Sequence, residues 1–158
     1  MNDIINIEIR NKSGHDDLKF CVRNLTGELT FDTYYFGLAI EPFEDISDLK
    51  KSVANFLNKW VNHINLMQNG HAKYFPIDFS DQYTGCLRVV KQEDEIEISY
   101  GTSNKEGWFV DINNPESYFD SITDFHSDTE TLLIKKVDFI KSIQNQINLL
   151  TNGNSNKP

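Results

Sequence analysis

Polar and apolar residues alternate near the start of the chain. Ile5, Ile7 and Ile9 are spaced by Asn6, Glu8 and Arg10, the two-residue period of a half-buried β-strand. Residues 11–17, with Ser13-Gly14 among them, break the pattern as a turn or loop. Leu18, Phe20 and Val22 restore it as a second strand, and Thr26-Gly27 suits a hairpin turn into a long third segment over 28–40. That segment changes phase. Leu29 and Phe31 are odd-numbered apolar positions, whereas Tyr34, Phe36, Leu38 and Ile40 are even, which predicts a strand with a β-bulge near Thr33 or a bend at Gly37.

Past Glu41-Pro42-Phe43 the period lengthens to 3.6. Asp45 can cap a helix, and Ile46, Leu49, Val53, Phe56, Leu57, Trp60, Val61, Ile64 and Met67 fall on one stripe before Asn69-Gly70 stops it. His63, at the edge of that stripe, reads as a structural histidine. Residues 72–79 are apolar but carry Pro76, which confines them to a sheet edge or an irregular pass over the core. Residues 84–113 then predict a three-stranded antiparallel meander. Leu87 and Val89 mark its first strand, Ile96, Ile98 and Tyr100 the second, and Trp108, Val110 and Ile112 the third. Pairing Leu87 with Ile98 and Tyr100 with Trp108 keeps the apolar faces together. It also places Arg88, Glu97 and Asp111 in one row of the polar face, and Cys86, Ser99 and Phe109 in the next.

Asn114-Pro115-Glu116-Ser117 opens a turn or short helical piece that includes Tyr118, Phe119 and Ile122. Ser127 and Glu130 have capping-box spacing, and Leu133, Val137, Ile140, Ile143, Ile147 and Leu150 follow as a second long amphipathic helix. Residues 152–158 lack apolar content and read as a frayed tail. The expected fold is α+β: a mostly antiparallel sheet of six to seven strands with two long helices packed on one face, in a single domain spanning 1–151.

Charge sharpens this picture. Residues 92–134 hold eleven acids against one base, Lys105. That is a local balance of −10 within a chain total of −9, so the remainder sums to +1. Phosphate backbones and anionic membrane surfaces repel such a chain, and a basic protein partner suits it. The segment Met1-Asn2-Asp3 lacks the basic and apolar regions of a signal peptide. No apolar run approaches the length of a membrane span, so a cytoplasmic address is expected.

The sequence carries no catalytic signature. The eight glycines are scattered, so no phosphate-cradling turn is present. His15, His63, His71 and His126 do not share metal-ligand spacing with each other or with Cys21 and Cys86, and no cofactor is expected. The two cysteines read as unpaired thiols in strand-like segments. The group His15-Asp16-Asp17 reads as a solvated loop, and Asp78 and Asp81 as ordinary loop carboxylates. A Cys86 pair with His71 or His126 stays open, because catalytic triads are assembled in space.

A short acidic chain of mixed α and β elements, with its acids clustered over 92–134 and no catalytic motif, resembles the immunity proteins of bacterial toxin systems. These include contact-dependent inhibition and polymorphic toxins. The resemblance implies a protein that blocks a cognate toxin, often a basic nuclease, by covering its active site or another necessary surface. The candidate partner-binding residues are Arg88, Glu93, Asp94, Glu95, Glu97, Phe109 and Asp111, on the polar face of the meander. The alternative is a small enzyme or ligand-binding domain with a pocket between helices and sheet, to which His71, Tyr83 or Cys86 contributes.

Overall fold

The computed structural model of the chain describes residues 3–39, 45–120 and 122–152. The alternating isoleucines form β1 (Ile5–Ile9), buried and exposed by turns. It pairs antiparallel with β2 (Leu18–Val22), Ile7 opposite Phe20, and β2 pairs with β3 (Leu29–Phe31) to complete a three-stranded sheet. The long third strand expected over 28–40 is not formed. After β3 the chain turns into a short helix, α1 (Tyr34–Leu38), so the phase change at Thr33 marks a switch from strand to helix rather than a bulge. The cause is local: the Asp17 carboxyl accepts both the backbone N–H and the hydroxyl of Thr33, at 2.9 and 2.8 Å, and ends the ladder there. Ile40 and residues 41–44 lie outside the described residues.

The first long helix, α2 (Ile46–Leu66), begins as its sequence predicts. Asp45 accepts from the backbone N–H of Ser47 and Asp48 at 2.7 and 3.2 Å, satisfying two donors that have no partner inside the helix. Its buried stripe includes Leu49, Val53, Phe56, Trp60 and Ile64. Trp60 is fully buried, with Phe56 and Phe75 at 6.0 and 5.5 Å between ring centroids. Gly70 follows the helix at φ +78°, a conformation that glycine adopts without strain.

The second sheet has five strands. β4 (Ala72–Phe79), β5 (Thr84–Gln92) and β6 (Glu95–Ser103) run antiparallel, and β7 (His126–Ser127) and β8 (Leu132–Lys135) both pair with β6. Pro76 lies on the edge strand β4, next to a register irregularity between Pro76 and Asp78, as its missing N–H requires.

The meander's third strand is absent. Gly107–Phe109 forms a 3-10 turn, and β7 and β8 occupy the position beside β6 that Trp108, Val110 and Ile112 were expected to fill. The β5–β6 register also differs by two residues. Leu87 faces Tyr100 and Val89 faces Ile98, which preserves the apolar face because side chains repeat every two residues. A two-residue turn at Glu93-Asp94 sets this register, with Glu93 at φ +56°.

The short helix α3 (Glu116–Phe119) follows Pro115 and buries Tyr118 and Phe119, the latter 5.1 Å from the Phe75 ring. The second long helix, α4 (Lys136–Asn152), starts later than the capping box suggests. Ser127 lies in β7 and bonds to the Thr129 carbonyl instead, while Leu133 belongs to β8 and is half exposed. Its buried face is Phe139, Ser142, Ile143, Gln146 and Leu150, and Val137 points outward. Ser142 and Gln146 are buried because α4 lies along the outer edge of β1. The Ile5 N–H donates to Ser142 Oγ at 2.9 Å and the Ile7 N–H to Gln146 Oε1 at 3.0 Å. The chain is thus α+β, with two long helices and antiparallel strands divided between a three-stranded and a five-stranded sheet. Of residues 152–158, expected as a tail, Asn152 closes α4 and 153–158 lie outside the described residues.

Candidate functional site

The candidate residues fall into two groups. Glu93, Asp94 and Glu95 form the exposed tip of the β5–β6 hairpin, with Arg88 and Glu97 partly covered on its strands. The row Arg88-Glu97-Asp111 does not exist. Arg88 faces Ser99, and Glu97 faces Val90 on one side and Leu133 on the other, with Gln92 Nε2 donating to its carboxylate at 2.7 Å. Phe109 and Asp111 are exposed as expected, but on the segment that passes beside β4, not on the face of the sheet.

That segment borders a cleft of about 750 Å³. One wall is the 11–17 loop, built around Asp17. Its fully buried carboxyl accepts from Thr33 and from the Gly14 N–H at 2.8 Å, so the group expected to be solvated is an internal brace. The brace places Asp16 at φ +51° with its N–H donating to Asp32 Oδ1 at 2.8 Å, and sets His15 Nδ1 3.1 Å from Asp32 Oδ2. The His15 ring stacks on Tyr34 at 6.1 Å, and Tyr34 meets Tyr35 edge-on at 5.5 Å.

The opposite wall is the turn between β4 and β5. The Tyr35 hydroxyl donates to Asp81 Oδ1 at 2.8 Å, tying α1 to that turn. The Gly107 N–H donates to the Ser80 carbonyl at 2.6 Å and brings Trp108 to the rim, where its indole N–H donates to Glu106 at 2.7 Å. Gly85 permits the close approach at the base. A Cβ there would stand 2.5 Å from the Tyr100 hydroxyl and 2.9 Å from the Asp78 side chain.

The electrostatics follow from this packing. Among the described residues, Asp16, Asp32, Asp78 and Asp81 line the cleft, and no lysine or arginine does. Asp78 is only 9% exposed; burial pushes its carboxyl up to about 6, against a smaller opposing pull from the Tyr83 hydroxyl. Burial and the Asp81 hydrogen bond push Tyr35 up to about 12. The hydrogen bond to Asp32, then its charge, raises His15, favouring the imidazolium. Such a surface offers ring faces and carboxylates to a cation. Among the described residues, no group of three or more His, Cys, Asp or Glu side chains is placed to hold a metal ion.

The groups named for a catalytic pocket are dispersed. Cys86 is fully buried beside Tyr118, not on a polar face, and burial raises its thiol to about 12, far from a thiolate at neutral pH. His71 and His126 lie on the surface. Cys21 and Cys86 are both free, and His63 packs edge-on against Phe119 at 4.4 Å. Tyr83 alone of the three named groups lines the cleft. Its other main contributors come from positions 15–16, 30–35, 78–83 and 108, a convergence that no sequence window displays.

The site is therefore an open cleft lined by carboxylates and aromatic rings on an α+β scaffold. No family model, curated protein or solved structure matches the chain. None of the helices among the described residues is long and apolar enough to cross a membrane.

Proposed function

We infer that the chain is a binding protein for a basic protein, acting as an immunity protein that neutralises a cognate toxin by covering a necessary surface of it. A nuclease is the toxin class whose basic substrate-binding surface best suits such an acidic partner. The observation that carries this reading is the combination of exposed aromatic side chains and carboxylates that outnumber the basic groups around the cleft. Tyr34, Tyr83, Trp108 and Phe109 are 49%, 38%, 58% and 67% exposed, and among the described residues four aspartates line the cleft with no lysine or arginine. Aromatic anchors inside an acidic surround supply the off-rate and on-rate components of such an interface. The acids at the hairpin tip, Glu93, Asp94 and Glu95, lie at the opposite end of β5 from the cleft and form a separate acidic patch that adds to the chain's overall negative charge.

The test is to express the product of the neighbouring reading frame alone and together with this chain. Growth arrest by the neighbour, relieved by this chain, is expected. Trp108→Ala should weaken the complex by about 2 kcal/mol while leaving the circular dichroism unchanged. A neighbour that is harmless and does not bind overturns the immunity reading. The cleft volume also favours a second reading, a domain for a small cationic ligand, since about 750 Å³ lies within the range of small-molecule pockets.

A further inference from the structure

We propose that the cleft between the 11–17 loop, α1 and the β4–β5 turn is a receptor for one arginine side chain of the partner protein. This deepens the preceding reading and rests on it. Three independent features converge. The lining carries four carboxyls, and its single basic group, His15, is already engaged by Asp32. Asp78 sits among the buried lining residues and takes part in none of the ion pairs formed among the described residues. Ring faces and edges of Tyr34, Tyr35, Tyr83 and Trp108 also line it, interspersed with the neutral side chains of Thr30, Ser80 and Gln82.

A guanidinium fits this combination better than an ammonium. It is planar, stacks on aromatic faces, gives up hydration more readily and spreads five donors over more than one carboxylate. An arginine reaching Asp78 from the rim also places its aliphatic stem against the tyrosine rings, as long charged side chains do on apolar surface. Asp81, exposed at the rim and held by Tyr35, is positioned to take the remaining donors.

The experiment titrates the isolated chain with Nα-acetyl-arginine amide, following the nuclear magnetic resonance shifts of the Trp108 indole and the Tyr83 ring. Nα-acetyl-lysine amide, the neutral isostere Nα-acetyl-citrulline amide and spermidine serve as comparisons. Saturable shifts are expected with arginine, at least threefold weaker with lysine and at least tenfold weaker with citrulline. Asp78→Asn, which keeps the side-chain shape, should weaken the arginine probe at least tenfold while preserving the fold. Absence of saturation, citrulline equal to arginine, or indifference to Asp78→Asn overturns the assignment. Spermidine binding tenfold more tightly than arginine also overturns it, in favour of a small polyamine site. The two readings separate cleanly. A toxin complex unaffected by Asp78→Asn would retain the immunity function and remove the cleft from it. Arginine binding by a chain with no toxin partner would do the reverse.

Discussion

Asp17 and Asp78 are both carboxyl groups withdrawn from water, at 0% and 9% exposure, and their surroundings treat them in opposite ways. Asp17 is enclosed by donors from its own loop and from Thr33, so its burial organises the strand-to-helix switch that starts α1. Asp78 lies near the end of β4, where its neighbours are the phenols of Tyr83, which hydrogen-bonds to it, and Tyr100, and it joins no ion pair formed among the described residues. The first is a structural part, complete in itself. The second costs stability, a pattern expected where a scaffold holds a charge ready for a partner. The contrast teaches that burial of an acid is not informative alone; the number of donors aimed at it decides its role.

Removing the brace should produce the largest effect. Asp17→Ala leaves the Thr33 N–H and hydroxyl and the Gly14 N–H without their acceptor, and is expected to cost about 3 kcal/mol in urea denaturation. A loss below about 1 kcal/mol would show that Asp17 is no more than a surface acid.

Asp78→Asn should move stability the other way. The folded carboxyl titrates near 6, above its ordinary value of 3.8, so the native state holds more protons than the unfolded chain between those values. Stability of the natural chain therefore falls as pH rises from about 4 through 6, by about 3 kcal/mol in all. The variant should be more stable by that amount at pH 7, and the gain should vanish below about pH 4. A variant that is less stable at pH 7 than the natural chain contradicts the assigned role of Asp78.

The smallest change, Thr33→Val, deletes one hydroxyl donor from the Asp17 brace and should cost about 1 kcal/mol in the same measurement. It should leave binding of the arginine probe within twofold. Stability unchanged by this substitution would assign the brace to the backbone donors alone.

The sequence was most readable where one local rule settled the outcome. Alternation placed β1 and β2, and Asp45 with its 3.6-residue stripe placed α2. Reading failed where a distant group intervened. Asp17 converts the expected third strand at Thr33, and the edge of β1 buries Ser142 and Gln146, two polar positions that a hydrophobic stripe does not count. In the β5–β6 hairpin, apolar alternation placed Leu87, Val89, Ile96 and Ile98 in the core and the Glu93-Asp94 turn settled the register, but Cys86 and Ser99 on the other face are buried as well. Acid counting located the hairpin tip as a charged surface. The cleft acids Asp16, Asp32, Asp78 and Asp81 lie outside the acid-rich stretch and meet only after the 11–17 loop, α1 and the β4–β5 turn have packed.

The contact of α4 with β1 bears on how the chain is made. Ser142 and Gln146 reach backbone donors 137 and 139 residues earlier in sequence, so β1 waits for α4 during synthesis. Until α4 emerges, the outer edge of β1 presents bare N–H groups to other chains, the template for edge-to-edge pairing. A chain stopped short of Ser142 should therefore fail by aggregation during synthesis, and holdase chaperones that shield the nascent β1–β2 hairpin should set its yield.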